Sequence, residues 1–584
     1  MIRLFAAGSG TFARDAHPIV MARTVAELLV ETLAQVGVRQ VFGIVGDALN
    51  PFTEALRRQD RIEWVGVRHE EGAALAAAGQ AKLTGRLGVC CGTTGPGGTH
   101  LVAGLYEARK DHAPVLAISG DVPLAKRGND YLQENDPNLL FRDVALYTQL
   151  IASGDEAPAV IHQAIAHAFG GPGVAHVNIP PDIFDQKVPT DVPSLATLRP
   201  RPEIAPTAAD MDSAAALIEE AGTVAILCGF GCRGARDAVT ALSDRLQAPL
   251  VHTYRGKDLL PYEDPRWIGG IGLIGTRPAL DSAMKADLLL MLGTDYPYSE
   301  YLPKHGAIIQ VDERAAILGR RAPVRLGVVG SVRPAVGMLL ERLRARTDRG
   351  FLDRANAARR EWDSMLDEKA DPERSPDRIH PQAVARIVGD SASDDAVFVV
   401  DTGEVTLWAA NWTRQRAGQR ITGSFNNAAV GTAVGMANGI QALDRARQVV
   451  VHVGDGGFTM LAGEFMTAVE HRLPVKLVVY DNGGWGLVHL EMEGAGLPAA
   501  AGAGFPNMDF AAFARACGAE GFTVREPGAL EATVASFLAV PGPAILHAYV
   551  DPEELPTMPH FDPGQALRFG IAKVKEKLLS LRGK

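Results

Sequence analysis

The chain has 584 residues, 47% hydrophobic and 22% charged, an ordinary balance for a folded protein of about three or four domains. A formal net charge of -10 leaves no basic footprint and argues against a nucleic-acid partner; five irregularly placed cysteines make no disulfide framework and fit a reducing compartment. No apolar run reaches the roughly 18 residues that a membrane-spanning helix needs.

Residues 1–20, MIRLFAAGSGTFARDAHPIV, make a poor signal peptide, because the apolar stretch is short and broken by glycine; they read as an N-terminal tail or the product of an early start codon. A first block, 21–187, opens with the amphipathic helix ARTVAELLVETLAQVGV. It then alternates apolar runs (QVFGIVG, RLGVCCG, APVLAISG, VAHVNIP) with helical patterns, as parallel βαβ units do. The proline-rich stretch 188–205 reads as a linker. A second block, 206–345, repeats the alternation with TVAILCG, PLVHTY, DLLLMLG and AIIQVD, and a charged connecting segment follows at 346–378. The third block, 379–560, carries AVFVVDTG, QVVVHVGDGG, VKLVVYDNGG and AILHAYV. The sequence therefore predicts an α/β protein of three doubly wound parallel-sheet domains. Residues 561–584 are basic and amphipathic, with Leu567, Ile571, Val574, Leu578 and Leu581 at near-helical spacing. Such a helix either lies on an anionic membrane or packs on the domain surface.

Open α/β sheets bind ligands beyond the carboxyl ends of their strands. In the third block two neighbouring strands end there in acids or amides set among glycines, Gly454-Asp455-Gly456-Gly457 and Asp481-Asn482-Gly483-Gly484. Asp455 and Asn482 are hard oxygen ligands that suit Mg²⁺, and the glycines let backbone N–H groups approach a diphosphate. The plainer reading is two ordinary strand-to-helix turns. In the second block, Gly229-Phe230-Gly231-Cys232-Arg233-Gly234 follows a strand and opens a helix, a weak dinucleotide signal that lacks a convincing acid about 20 residues on. Asp312, ending AIIQVD, is better placed to accept from a ribose or an adenine. Cys228 and Cys232 lack the second ligand pair that a structural metal site needs.

The GDGG-to-DNGG spacing of about 27 residues resembles the diphosphate motif of thiamine-diphosphate (ThDP) enzymes. The resemblance implies that Asp455, Asn482 and the Gly484 carbonyl hold Mg²⁺, with Gly454, Gly456, Gly457 and Gly483 around the diphosphate. It makes Glu70, in RHEEGAA, the acid that shares a proton with the aminopyrimidine ring, with Glu71 as its rival. It places Thr94 and Gly95 of CCGTTGPGGTH near the thiazolium, with Gly46 and Asp47 of GIVGDALNPF among the cofactor contacts. GSFNNAAVGTAVG, with Ala428 and Ala429, would bind the aminopyrimidine, and Val430 would wedge the cofactor into its bent form. The three domains become pyrimidine-binding, central FAD-binding and diphosphate-binding.

TVAELLVETLAQVGVRQVFGIVGDALNPF, DYLQENDPNLLFRDV, CGFGCRGAR, HTYRGKDLLPYEDP and IIQVDERAAILG are similar to bacterial pyruvate oxidases and pyruvate:quinone oxidoreductase. That subgroup implies FAD contacts at Gly229, Gly231, Gly272, Leu273, Ile274, Thr294, Tyr296, Pro297 and Asp312. It implies oxidative decarboxylation of a 2-keto acid, pyruvate to acetate and CO₂, through a thiamine-bound enamine, with electrons passing to FAD and then to a quinone or oxygen. It also implies a homodimer or homotetramer with Glu70 and Asp455 meeting across the subunit interface. The place would be the cytoplasm, with peripheral contact at the inner face of the membrane through the C-terminal helix. The alternative is an acetolactate synthase-like carboligase in which FAD is structural. Departures fall on the substrate wall. Leu132 precedes Gln133 where the subgroup has Phe-Gln, Leu487 replaces a phenylalanine, and Trp485, His489 and Asn427 are further changes. Val430 is smaller than usual, and Gly435 replaces a proline. His489 stands as either an acid/base candidate or a structural residue.

Overall fold

The computed structural model describes residues 23–188, 203–498, 502–506, 508–559, and 564, 568, 571–573 and 575. The expected tail at 1–20, most of the linker at 188–205, and Leu567, Val574, Leu578 and Leu581 lie outside the described residues.

The three apolar blocks form three six-stranded sheets with every strand pair parallel. The first contains β1 (Gln40–Gly43), β2 (Glu63–Gly66), β3 (Gly88–Gly92), β4 (Val115–Gly120), β5 (Tyr147–Leu150) and β6 (Val174–Ile179) in the order β2-β1-β3-β4-β6-β5. The second contains β7 (Val224–Cys228), β8 (Leu250–His252), β9 (Trp267–Gly270), β10 (Leu288–Leu292), β11 (Ala307–Asp312) and β12 (Leu326–Val329) in the order β12-β11-β10-β7-β8-β9. The third contains β13 (Val397–Val400), β14 (Arg420–Gly423), β15 (Val449–Gly454), β16 (Lys476–Asp481), β17 (Glu520–Val524) and β18 (Ala544–Tyr549) in the order β14-β13-β15-β16-β18-β17. The central strands are apolar runs without alternation because helices cover both faces; every residue of β4, β6, β10 and β16 is buried.

The first and third sheets share one strand order, and the middle sheet has the dinucleotide-binding order. In such sheets the ligand crevice opens where the strand order reverses, between β1 and β3, between β7 and β10, and between β13 and β15.

The outer domains share a core that joins Phe42, Leu75, Leu101 and Phe141 to Val399, Met436, Val451 and Phe465. Helices Glu70–Thr84 and Ala433–Leu443 lie across that boundary, and both are built of small residues. A Cβ on Gly79 would overlap the Met436 carbonyl, and one on Gly439 the Ala76 carbonyl. Gly435 packs on the Leu75 side chain across the same boundary. Gly439→Ala is expected to destabilise the fold by about 3 kcal/mol, seen as a lower urea midpoint, because backbone atoms cannot retreat as a side chain would. Polar groups also pin the boundary. Buried Lys82 pairs with Glu107 at 2.5 Å and Asp111 at 2.6 Å and donates to the Gly423 carbonyl, while Arg255 of the central domain reaches Asp111 at 3.5 Å.

Candidate functional site

At the crevice of the third sheet, residues following β13, β15 and β16 converge. Asp455 is buried at the start of the helix Asp455–Met460, and its carboxylate accepts from the Gly456 N–H at 2.8 Å. Burial pushes this carboxyl up to about 7, with the neighbouring Asp481 carboxylate adding to the rise. Asp481 accepts from the Gly483 N–H at 3.0 Å and pairs with His547 at 2.8 Å. Asn482 turns its Nδ2 to Glu404 Oε2 at 2.9 Å, and its Oδ1 accepts from the Gly484 N–H at 3.2 Å. Burial, with Asp455 nearby, lifts the Glu404 carboxyl to about 7 as well. Among the described residues no lysine or arginine pairs with Asp455 or Glu404. The buried Asp455 carboxylate and the Asn482 amide oxygen, with no counter-charge and the half-buried Glu404 carboxyl beside them, make a donor set that suits a hard divalent cation.

The glycines of the two turns serve different ends. A Cβ on Gly454 or Gly483 would meet open space, so backbone is accessible there. Gly457 leaves room for the Asp401 carboxylate and packs beside Val430, and Gly456 lies beneath Trp485 and Phe505, whose rings meet edge to face at 4.9 Å. Asp401, following β13, is fully buried, and burial raises its carboxyl to about 6. It accepts from the Gly431 and Thr432 N–H groups, each at 3.0 Å, and so holds the loop carrying Ala428, Ala429 and Val430 against the glycine turn. Ala428 takes a left-handed backbone, φ +56°, and the Ala429 N–H is held by Ser424 Oγ at 2.9 Å. His489 pairs with the buried Glu493 at 3.1 Å. Lys573 reaches the same carboxylate at 2.6 Å; Arg568 and Lys575 donate to the carbonyls of Gly494 and Gly496, and Ala572 is buried, so this part of the C-terminal segment is docked on the domain.

On the first sheet, Glu70 is buried at the first turn of its helix, with Oε2 2.9 Å from His100 Nδ1. Glu71 is half-buried, which raises its carboxyl; its N–H donates to His69 Nδ1 at 3.2 Å. The turn is anchored from the third domain. Buried Glu464 accepts from the Arg68 and His69 N–H groups at 3.0 and 2.9 Å. At the β1/β3 crevice, Gly46 packs on Thr93 and Gly95 on Gln133; a side chain at either glycine would clash. Thr94 Oγ1 donates to the Asp121 carbonyl at 2.9 Å, while exposed Asp47 caps its own Ala48 N–H at 2.9 Å. Gln133 is left-handed, φ +64°, and Leu132 beside it is 81% exposed. Among the described residues no hydrogen bond or ion pair joins Glu70 to Asp455 or Asn482.

In the middle domain, Gly229 and Gly231 press on Gly293 and Thr294 across the β7/β10 crevice, so backbone packing by itself requires these glycines. Gly272 lies under the Tyr296 hydroxyl, Leu273 and Pro297 are exposed, and Ile274 packs on the third-domain core while its carbonyl accepts from Asn411 at 3.4 Å. Asp312 is buried at the end of β11 and accepts from the Arg314 N–H at 3.0 Å. His112, of the first domain, is held down to about 4 by burial and by the charges of Arg314, Arg255 and Arg109, a positive cluster that suits a diphosphate. Cys228 and Cys232 are buried free thiols, and among the described residues no further ligand joins them in a metal-binding cluster.

Three family models match the chain in order: the thiamine pyrophosphate enzyme N-terminal TPP-binding domain at 23–140, the central domain at 211–339 and the C-terminal TPP-binding domain at 401–548. The chain belongs to the thiamine pyrophosphate enzyme family. It is 35% identical over 503 residues to the putative thiamine pyrophosphate-containing protein YdaP of Bacillus subtilis, covering 86% of this chain and 87% of that protein. It is 31% identical to the pyruvate oxidase of Lactiplantibacillus plantarum over 508 residues, covering 85% of this chain and 83% of the relative. It is 30% identical to the acetolactate synthase of Mycobacterium bovis over 481 residues, covering 80% and 77%.

Asp401, Glu404 and Glu464 escaped the sequence reading, and Asp481 was noticed only as part of its turn. AVFVVDTGE carries the same strand-end acid and glycine as the two turns that were recognised, and that signal could have found Asp401 and Glu404. Glu464, inside a helix and bonded to amides some 395 residues away, has no local signal.

Proposed function

We propose that the chain is a ThDP-, Mg²⁺- and FAD-dependent oxidase of a 2-keto acid, pyruvate in the first instance. The observation that carries the reading is the buried Asp455, without a basic partner among the described residues, gathered with Asn482 and the half-buried Glu404 beside open glycine backbone at the third-sheet crevice. ThDP supplies the carbon nucleophile and electron sink for decarboxylation, and FAD a two-electron acceptor. Asp455, the Asn482 amide oxygen and the Gly484 carbonyl would hold Mg²⁺, with the diphosphate against Gly454 and Gly483. Val430 and the Ala428–Ala429 backbone would fix the aminopyrimidine, and Glu70, screened from water, would share a proton at the ring nitrogen N1′. In the middle domain, Asp312 would accept from the adenosine part of FAD, and Arg255 and Arg314, with His112 of the first domain, would face its diphosphate. Because the cofactor groups divide between two domains, and among the described residues no hydrogen bond or ion pair joins Glu70 to Asp455, the working unit in this reading is a homodimer or a pair of dimers. Quinone or oxygen is the final acceptor; a quinone would bring the C-terminal segment into peripheral contact with a membrane.

A carboligase similar to acetolactate synthase is the competing reading, and identity to the two named relatives, 31% and 30%, does not favour either. Anaerobic titration with pyruvate and other 2-keto acids separates them. The oxidase bleaches bound flavin stoichiometrically. Flavin that stays oxidised while acetolactate or another acyloin accumulates overturns the oxidase reading.

A further inference from the structure

Glu404 lies outside the two turns that carry Asp455 and Asn482, yet it accepts from the Asn482 amide nitrogen, Nδ2 to Oε2 at 2.9 Å. The amide Nδ2 donates and the Glu404 Oε2 accepts, so this contact holds the nitrogen end of the amide at Glu404. With Nδ2 held by Glu404, Oδ1 is turned toward the Gly484 N–H at 3.2 Å and the side where the metal would lie. The arrangement is tight. A Cβ on Gly486 would overlap both Asn482 Nδ2 and Glu404 Oε2, so the first turn of the helix Gly486–Gly494 closes over the pair. Glu404 itself begins the helix Glu404–Trp412, whose residues Val405, Leu407, Trp408 and Trp412 are core-packed, so its backbone is rigid.

We infer that Glu404 is a positioning residue for the metal: it locks the Asn482 carboxamide with its oxygen toward the cation and its nitrogen away. Without it, the Gly484 N–H alone holds the amide oxygen, and rotation by half a turn, which presents N–H groups to a divalent ion, costs less. This rests on the assignment of Asn482 as a metal ligand proposed above. Outer partners of metal ligands typically contribute 10- to 100-fold to metal affinity.

The test is calorimetric titration of ThDP into the full-length apoenzyme over a series of Mg²⁺ concentrations, which needs no turnover. Glu404→Ala is expected to raise the Mg²⁺ concentration for half-maximal ThDP binding by at least about tenfold. Glu404→Gln keeps an acceptor oxygen for Nδ2 and is expected to stay within about threefold of the parent, which also guards against loss of fold. In an Asn482→Ala background, Glu404→Ala is expected to add less than about a twofold further shift, because the two act through one contact. Equal shifts for the alanine and glutamine variants, no shift for either, or full additivity with Asn482→Ala would each overturn the inference. ThDP binding by the parent that ignores Mg²⁺ altogether would instead remove the metal assignment on which it stands.

Discussion

Glutamine in place of Glu70 is expected to lower the rate of CO₂ release by about a thousandfold, within the range that a positioned general acid–base group contributes. Fold and cofactor affinity should change much less. The substitution is isosteric, and an amide can still meet His100 Nδ1 across the 2.9 Å contact that now holds the carboxylate. The backbone amides that precede the residue remain tied to Glu464, so the helix terminus stays in place. What glutamine lacks is a proton to share. Single-turnover measurement of CO₂ release, run beside calorimetric binding of ThDP, reads both effects. A rate within about tenfold of the parent would take Glu70 out of the proposed role.

Asp455→Asn is expected to weaken Mg²⁺-dependent ThDP binding by at least about a hundredfold while making the apoenzyme more stable. The two effects share a cause. Burial and the Asp481 carboxylate raise the Asp455 carboxyl from its ordinary value to about 7, so the empty site holds an acid that resists ionising. A raised folded-state pKa means that the stabilising contribution is complete below the unfolded value, near 4, and is lost as pH climbs through about 7. The asparagine variant has no such loss. Its melting temperature without metal should therefore exceed the parent's more at pH 8 than at pH 5. Equal offsets at both values, or unchanged Mg²⁺ dependence, would contradict the reading of Asp455 as a strained ligand.

The three-sheet architecture was legible because buried parallel strands are written as apolar runs, and QVVVHV or VKLVVY can hardly be anything else. The identical strand order of the outer sheets was not, because topology is set by which runs pair, and sequence similarity between the two blocks is too faint to betray it. Asp455 and Asn482 stood out through local glycine punctuation. Glu404 and Asp401 carried the same punctuation, but their meaning lies in partners 78 and 30 positions away, Asn482 and Gly431. The GxGxxG stretch illustrates the opposite difficulty. Its pattern suggested a phosphate cradle, while Gly229 and Gly231 are already demanded by the backbone of Gly293. A motif shows that small residues are needed and leaves open what approaches them.

The core shared by the outer domains sets an order of events during synthesis. The helix Glu70–Thr84 is finished long before its packing partner Ala433–Leu443 exists, since the whole central domain is made between them. At ordinary ribosomal speeds the delay is roughly twenty to seventy seconds. Throughout it, an alanine-lined flank that will later be dry faces water and any other nascent chain. Covering this flank until residue 443 has been made is therefore a condition for folding that the stability of the first domain alone does not meet.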